Sequence, residues 1–519
     1  MVKKYKANEL TKYLNDYFGF DSFRMGQLEI IEDVLRGENV LGILPTGSGK
    51  SICYQLPALL LEGTTIVVSP LIALMIDQVK QLKAKQIKRV VALNSFITPN
   101  ERTKIYQQLN TYKLIYVSPE LLQQEDFLFY LKQLSVRLFV IDEAHCISQW
   151  GHEFRPDYMK LKHMIKLLNN PPVLALSATA TPYVQTDIIE SLGLTSIIKH
   201  IYPMDKENII FSVEKFRHRD EKTSYIIDVL KRFDVPTLIY FSSRIEAEQM
   251  AQTIKNRLPS ISVAFYHGGM EHIDRITIQQ QFMNDQLQVI CCTSAFGMGI
   301  DKSNIRLIIH YHLPNQLESY VQEAGRAGRD GKQSVSVVLY TREDEYLPKH
   351  FMNHELPTEM DIRFVFYMLF KLYEQNQALP TQSEKAAQLF QLNEVQWRFL
   401  YAQLEKHDII KGNTITYEKW HWKRVYTIIK QTTAQRLRIK EEKLQQMLTW
   451  IHQNKCLREA LYKPFQSKYT KPKKDCCSRC GFSIDHWDVS PYESYQSSEK
   501  TWQQVLKDKF LIGDENETK

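Results

Sequence analysis

The sequence predicts two tandem α/β domains, each built on a parallel sheet, followed by a mostly helical C-terminal region. Short, near-continuous apolar runs alternate with helical patterns over the first two-thirds of the chain. Such runs are typical of parallel strands that are covered on both faces. The pattern restarts near Asp205, which indicates a second domain, and it stops near Leu356. These three observations predict two doubly wound domains and a separate C-terminal third.

The predicted strands coincide with the apolar runs. In the first domain they are Val40–Leu44, Thr65–Val68, Leu114–Val117, Leu138–Ile141 and Val173–Leu176. In the second domain they are Thr237–Phe241, Ser262–Tyr266, Val289–Cys292, Leu307–His310 and Ser334–Leu339.

The composition is that of a protein with well-formed hydrophobic cores. The 519 residues are 44% hydrophobic, and the net charge is +7, which permits a nucleic-acid partner without requiring one. No apolar run is long enough to span a membrane, and the charged N-terminus lacks the apolar segment of a secretion signal. Eight cysteines in such a chain do not indicate a disulfide framework. We therefore expect a cytoplasmic protein that does not contact a membrane.

A phosphate-binding loop is predicted between the first strand and the helix that begins at Ile52. Its residues are Thr46, Gly47, Ser48, Gly49, Lys50 and Ser51. The glycines let backbone N–H groups point at an anion, and the helix N-terminus adds positive charge. Lys50 can reach the phosphates of ATP, and the Ser51 hydroxyl can ligate Mg²⁺. Leu44 replaces the first glycine of the usual pattern, and an ordinary glycine-rich turn is the alternative.

Two adjacent carboxylates follow the strand that begins at Leu138. Asp142 and Glu143 would lie at the carboxyl end of a parallel strand, where such sheets bind ligands. Asp142 is expected to hold Mg²⁺, and Glu143 to orient or deprotonate the attacking water. His145 would link this site to its surroundings. A solvated loop is the alternative.

A base-recognition element is predicted upstream of the loop. The Gln27 amide can pair with adenine, while Phe20 and Arg24 can stack on the base. An amphipathic helix whose aromatic neighbours belong to the core explains the same residues equally well.

The order of Lys50, the Asp142–His145 tetrad and Ser177-Ala178-Thr179 resembles that of superfamily 2 helicases. The following segment, Cys146 to Pro156, resembles the aromatic-rich loop of RecQ helicases. The segment from Phe18 to Gln27 resembles motif 0 of that family, and Ser69-Pro70-Leu71 resembles its motif Ia. The resemblance covers about two-thirds of the chain and implies two RecA-like motor domains.

The aromatic-rich loop supplies candidate DNA contacts. Bases of a single strand can stack on Trp150 and Phe154, although such residues are often merely packed in a core. Arg155 adds positive charge, and His152 can hydrogen-bond a base or phosphate. The hydroxyls of Ser177 and Thr179 are expected, with His145, to couple the DNA site to the nucleotide site.

The second domain resembles the other half of such a motor. Cys292 to Lys302 resembles motif V, where Thr293 is a candidate DNA contact. Gln322 to Arg329 resembles motif VI, with Gln322 near the nucleotide. Arg326 and Arg329, three apart, are expected on one helical face. Across a cleft from the loop they can stabilise the transferring phosphoryl group, Arg329 as the main finger and Arg326 as its helper. A basic surface turn is the alternative.

The C-terminal third is predicted to contain a winged helix. Helical patterns at Met360–Tyr373, Gln382–Phe390 and Glu394–His407 precede a tight turn between two β-prone runs. The third helix would be the recognition-type helix. A helical spacer followed by a hairpin is the alternative. A charged helix is predicted at Arg436–Asn454.

A cysteine cluster suits tetrahedral Zn²⁺. Its members are Cys456, Cys476, Cys477 and Cys480, and the resemblance implies the RecQ zinc-binding domain. The adjacent pair departs from the family spacing, which would place the last cysteine at Ser483. Asp485 or His486 is a candidate substitute ligand, and isolated buried thiols are the alternative.

The expected domains are a first motor domain, a second motor domain, a winged-helix-like segment, a zinc-binding region and a polar tail. Their ranges are 1–204, 205–345, 346–435, 436–490 and 491–519. Only 39 residues follow Cys480, so we expect a short bacterial form without the winged helix and helical domain that usually follow the zinc region.

The resemblance implies an ATP- and Mg²⁺-dependent DNA helicase that moves 3′ to 5′ in DNA repair and recombination, with Zn²⁺ as a further expected bound metal. Single-stranded and tailed duplex DNA are the expected partners, with single-strand-binding protein as a further candidate, and a monomer is expected. The alternatives are a nucleotide-gated DNA translocase or scaffold without strand separation, and an RNA-directed superfamily 2 ATPase.

Overall fold

The computed structural model describes residues 5–94, 97–148, 155–297, 302–466, 469, 471–472 and 474–488. Within these residues it confirms two tandem α/β domains and a helical C-terminal region. The first domain holds a seven-stranded sheet in the order β3-β4-β2-β5-β6-β1-β7, and the second a six-stranded sheet in the order β10-β11-β9-β12-β13-β8. All strand pairs in both sheets are parallel.

The strands of the two large sheets are β1 Val40–Ile43, β2 Thr64–Val68, β3 Val90–Leu93, β4 Leu114–Val117, β5 Val136–Ile141, β6 Val173–Ser177, β7 Ile198–Ile201, β8 Ile209–Lys215, β9 Thr237–Tyr240, β10 Val263–Tyr266, β11 Val289–Cys292, β12 Leu307–His310 and β13 Ser334–Tyr340. A separate antiparallel hairpin pairs β14 Ile410–Lys411 with β15 Thr414–Ile415.

The helices are α1 Ala7–Phe18, α2 Gln27–Leu35, α3 Ile52–Leu60, α4 Ile72–Ala84, α5 Pro99–Gln107, α6 Glu125–Leu131, α7 Leu161–Leu167, α8 Pro182–Leu192, α9 Arg219–Arg232, α10 Arg244–Arg257, α11 His272–Met283, α12 Leu317–Ala324, α13 Tyr346–Glu355, α14 Glu359–Glu374, α15 Ser383–Leu389, α16 Glu394–Lys406, α17 Lys419–His452 and α18 Leu457–Tyr462. None of the described helices is long and apolar enough to cross a membrane.

Every predicted strand is present within two residues of its expected ends. Three strands were not predicted: β3, β7 and β8. Each lies at the edge of its sheet. An edge strand has a neighbour on one side only, so its sequence needs a less continuous apolar run. In β7, for example, Lys199 and His200 interrupt the apolar residues.

The order of the first sheet brings the expected chemistry to one edge. Strands β5, β6 and β1 are consecutive neighbours and parallel. The phosphate-binding loop follows β1, Asp142 follows β5, and Ser177 ends β6. Because the carboxyl ends of parallel strands meet at the same edge, these three segments converge there.

The predicted series of three helices and a hairpin is confirmed as α14, α15, α16 and β14–β15. These elements and the N-terminal half of α17 share one core, which includes Trp397, Leu400, Trp422 and Ile429. We call this body the winged-helix-like module.

The expectation that a charged helix begins at Arg436 is wrong, because α17 runs without a break from Lys419 to His452. Apolar residues recur through it, and it contains neither glycine nor proline. Trp422 and Ile429 bury its first half in the module, while Met447 and Trp450 bury its second half against the second motor domain. The expected domain boundary at 435/436 therefore falls inside one helix.

Candidate nucleotide and nucleic-acid site

The phosphate-binding loop has the backbone that its glycines predict. Gly47 and Gly49 have φ of 82° and 75°, a region that other residues rarely adopt. The loop leads into α3, whose N-terminus adds partial positive charge for an anion. Leu44, which replaces the first glycine of the usual pattern, is fully buried in the core.

Gln27 and Arg24 hold this loop from outside. The Gln27 Nε2 donates to the carbonyls of Ser48 and Gly49 at 2.9 and 3.0 Å, and its Oε1 accepts from the Arg24 backbone N–H at 2.9 Å. The Arg24 guanidinium donates to the Gly47 carbonyl at 2.7 Å. In this structure both side chains therefore bind backbone carbonyls of the phosphate-binding loop. Their contact with adenine stays a prediction, as does that of Phe20, which lies exposed beside the Lys85 ammonium.

The two carboxylates lie directly beside Lys50. The Lys50 Nζ is 3.6 Å from Oε1 of Glu143, and the Glu143 backbone N–H donates to Asp142 Oδ1 at 3.0 Å. Both carboxylates are buried. Burial, and next the Glu143 charge, raise the pKa of Asp142 to about 6. A bound cation would favour the ionised form, as expected of a Mg²⁺ ligand.

His145 joins Glu143 to the end of β6. Its Nδ1 lies 3.4 Å from Glu143 Oε2 and 3.0 Å from the Ser177 Oγ, and the ring is fully buried. The Ser177 Oγ also accepts from the Thr179 backbone N–H at 3.3 Å. Buried hydrogen bonds thus connect the predicted coupling residues His145, Ser177 and Thr179.

The second motor domain contacts the loop through Gly325 and Arg329. A Cβ atom on Gly47 would lie 3.0 Å from Cγ of Arg329, and one on Gly325 would lie 3.2 Å from Cβ of Thr46. Arg329 therefore lies against the phosphate-binding loop, across the cleft. Gln322 is buried on the helix that leads to this contact, α12.

Arg326 takes a different direction. Its Nη1 donates to the Gly297 carbonyl, and the side chain is buried in the second domain. The expectation of one shared helical face is wrong: α12 ends at Ala324, and both arginines lie in turns. Gly328, with φ of 55°, lets the chain turn between the two arginines.

Family profiles match both motor domains. The DEAD/DEAH box helicase profile matches residues 24–187, and the helicase conserved C-terminal domain profile matches residues 221–331. The chain is 40% identical over 506 residues to "Probable ATP-dependent DNA helicase RecS" of Bacillus subtilis (strain 168), covering 97% of this chain and 98% of that one.

The chain belongs to the RecQ family of helicases. It is also 42% identical over 334 residues to "ATP-dependent DNA helicase RecQ" of Haemophilus influenzae, covering 64% of this chain and 53% of that one. It thus matches about half the length of this RecQ relative. Lhr of Mycobacterium smegmatis, solved with single-stranded DNA and AMP-PNP, shares the fold at a TM-score of 0.56 and 18% identity, covering 82% of this chain and 62% of that one.

The aromatic-rich loop characteristic of RecQ helicases is described only at its two ends. Trp150, His152 and Phe154 lie outside the described residues. At the far end, the Arg155 guanidinium donates to the carbonyl of Pro70, in the motif Ia segment, at 2.9 Å. Thr293 is half-buried just after β11, and residues 298–301 of motif V lie outside the described residues.

Tyr158 joins the far end of this loop to the carboxylate strand, and the sequence analysis missed it. Its buried hydroxyl donates to the Asp142 carbonyl at 3.2 Å. In the sequence, Tyr158 cannot be distinguished from an ordinary core tyrosine. Only its hydrogen bond in the folded protein shows that it connects the loop to Asp142.

The four clustered cysteines converge as expected for a RecQ-type zinc site. Their sulfur atoms all lie within 4.8 Å of one another, with Cys456 Sγ 3.6 Å from Cys476 Sγ and 4.0 Å from Cys477 Sγ. Sulfurs bound to one tetrahedral zinc, each about 2.3 Å from it, are about 3.8 Å apart. Asp485, a candidate substitute ligand, instead pairs with Arg232.

The thiol environment also suits a metal. Hydrogen bonds from the Cys476 thiol and the Leu457 backbone N–H lower the pKa of Cys477 to about 4. The hydrogen bond to Cys477 raises the pKa of Cys476, and burial raises the pKa of Cys480 to about 11. A thiolate is the form that binds metals. The positions of the four sulfurs therefore fit zinc, and Cys477 is the sulfur that ionises most readily.

We predict that Gly47→Ala lowers ATP turnover at least tenfold, because the added methyl group would meet the Arg329 side chain. The matched control is Gly37→Ala. Gly37 has nearly the same φ, 83°, but a Cβ there would meet only Pro172 at 3.9 Å. Both variants carry a similar backbone strain of about 1–2 kcal/mol.

ATP turnover and thermal unfolding midpoints are measured for both variants and compared with those of the wild type. Equal loss of turnover in the two variants would mean that strain, and not the contact with Arg329, limits activity.

Proposed function

We propose that this chain is an ATP-dependent DNA helicase that moves 3′ to 5′ along single-stranded DNA and separates duplex strands in repair and recombination. The observation that carries the proposal is the position of Arg329 against Gly47, opposite Lys50 and the carboxylates. A nucleotide bound here would touch both motor domains. Its binding and hydrolysis would therefore favour different cleft geometries.

In the first domain, Lys50 and the loop backbone would hold the phosphates of ATP. Ser51 and Asp142 would hold Mg²⁺, whose charge neutralises the phosphate oxygens. Glu143 would orient the attacking water and accept its proton. The contact with Lys50 keeps the Glu143 side chain at the phosphate end of the site.

From the second domain, Arg329 would stabilise charge that develops on the transferring phosphoryl group. Arg326 would act as its helper by fixing Gly297, in the middle of motif V, relative to motif VI. Gln322 would position this turn near the nucleotide.

DNA would be held by Trp150, His152, Phe154 and Arg155 of the first domain and Thr293 of the second. The hydrogen bond from Arg155 to Pro70 supports this, because it ties the aromatic-rich loop to motif Ia. Occupation of the loop would be sensed through Tyr158, which bonds the Asp142 carbonyl, and through His145, which lies between Glu143 and Ser177. The Thr179 backbone N–H bonds the Ser177 hydroxyl and extends this connection.

Zn²⁺ would be held by the four clustered cysteines and would stabilise the region that follows α17. This region packs on the second motor domain. Cys477 forms a β-bridge with Phe211, and the fully buried Arg458 pairs with Asp205.

Single-stranded and tailed duplex DNA are the proposed substrates. We further propose that the protein is a cytoplasmic monomer and that it contacts single-strand-binding protein on such DNA. The experiments below distinguish this proposal from a DNA translocase or scaffold without strand separation and from an RNA-directed ATPase.

The Trp150→Ala variant should need roughly five- to 150-fold more single-stranded DNA for half-maximal ATPase stimulation, because one base-stacking contact is worth ~1–3 kcal/mol. Turnover without DNA should be unchanged. Trp420→Ala is the matched control, since Trp420 is 79% exposed on α17. Loss of basal turnover would instead place Trp150 in the core. Equal stimulation of the wild type by RNA of the same sequence would favour the RNA-directed ATPase.

The zinc proposal predicts about one zinc per purified chain, removed by a strong chelator and absent from Cys480→Ser. Elemental analysis measures the metal. Ser483→Ala serves as the control, because Ser483 stands where the family's last cysteine would fall, and this variant should keep its zinc. A folded wild-type protein without metal would refute the proposal.

A further inference from the structure

A large groove separates the winged-helix-like module from the first motor domain. Its volume is about 1380 Å³. One wall is α16, and the other includes Pro70, Arg102 and Lys162 of the motor domain. The walls touch where Lys160 pairs with Glu405 of α16, at an Nζ–Oε2 distance of 2.7 Å.

The groove is positively charged. Its described lining carries eight basic and five acidic side chains. Two of the acids, Glu355 and Glu405, are already paired with lysines of the same lining. On α16, Lys406 is exposed, and Arg398 forms an exposed ion pair with Glu394 of the same helix, a kind of pair that contributes little to stability. A surface of this kind attracts a phosphate backbone.

One end of the groove reaches the DNA-binding elements proposed above. Pro70 and Arg155 both line it, and they are hydrogen-bonded to each other. Single-stranded DNA bound by motif Ia and the aromatic-rich loop could therefore continue along the protein surface into the groove.

The module is attached to the other motor domain. Trp450, in the second half of α17, packs against Tyr320 of α12 with ring centroids 4.9 Å apart, and Lys443 pairs with Glu318 of α12 at 3.0 Å. The helix α12 leads directly to Gly325 and Arg329. A helix of 34 residues is about 50 Å long, so α17 joins the arginine side of the nucleotide cleft to the groove.

We propose that this groove binds single-stranded DNA and that its width changes with the nucleotide cleft. The groove lies between a body fixed to the second motor domain and a wall formed by the first. Relative movement of the two motor domains must therefore alter it. The proposal rests on the proposed helicase function but adds a binding site outside the motor motifs.

A single strand fits the geometry better than a duplex. A recognition helix must enter a major groove about 12 Å wide with its face free. Here α16 faces the motor domain, and the Lys160–Glu405 pair holds it there. A single strand needs only a positively charged path with room for its bases.

The test is the double charge reversal Arg398→Glu with Lys406→Glu, measured by fluorescence anisotropy with a short labelled oligothymidylate over a range of salt concentrations. We expect at least tenfold weaker binding. The slope of log K against log salt should fall by about 1.4, because each lost contact to a single strand contributes about 0.7. ATP turnover without DNA should be unchanged.

The matched control is Lys385→Glu with Lys423→Glu, which makes the same charge change at exposed positions of the module outside the groove. It should change affinity by less than twofold, and unfolding midpoints should match for all variants. An equal loss in the control, an unchanged salt slope, or a loss confined to blunt duplex DNA would each overturn the proposal. A wild type that binds no single strand would refute the helicase function itself.

Discussion

A Cβ atom on Gly47 would lie 3.0 Å from the Arg329 side chain, so the second motor domain approaches the phosphate-binding loop where an added methyl group would force that side chain to shift. The same glycine has a φ of 82°, which the loop needs in order to curl around an anion. The loop's shape and the approach of the second domain thus depend on one residue. Lys50 and Glu143 lie on one side of the cleft and Arg329 on the other, so this contact brings groups of both domains to one site.

The remainder of the chain is connected to this contact through the second motor domain. Arg458, fully buried, pairs with Asp205 and bonds the Ile209 carbonyl, which fixes the cysteine-containing region to the start of β8. Through α17, the same domain carries the winged-helix-like module. On the proposal that the groove follows the nucleotide cleft, a change at the Gly47–Arg329 contact would move this module against the first domain.

Features that depend on local sequence could be predicted well. The loop from Thr46 to Ser51 and the tetrad that begins at Asp142 are short motifs, and the strands that support them are continuous apolar runs at the centres of the sheets. Local spacing also sufficed to propose the cysteine ligands.

Features set by distant contacts could not be predicted. The strands β3, β7 and β8 depend on which partner covers a sheet edge. The contacts of Gln27 with loop carbonyls, the hydroxyl of Tyr158 on Asp142, and the burial of Arg326 on Gly297 are partnerships between segments far apart in sequence or in different motifs. The groove exists only because α17 carries the module back across the first domain, and no pattern within α16 indicates that arrangement.

The most direct test of the account is strand displacement on a short duplex that carries a 3′ single-stranded tail, with ATP, beside a 5′-tailed duplex and the Lys50→Ala variant. We expect the wild type to displace the strand from the 3′-tailed duplex only, and the Lys50→Ala variant to displace the strand from neither duplex. DNA-stimulated ATP hydrolysis without displacement of either duplex would contradict it, and would make the chain a nucleotide-gated translocase or scaffold.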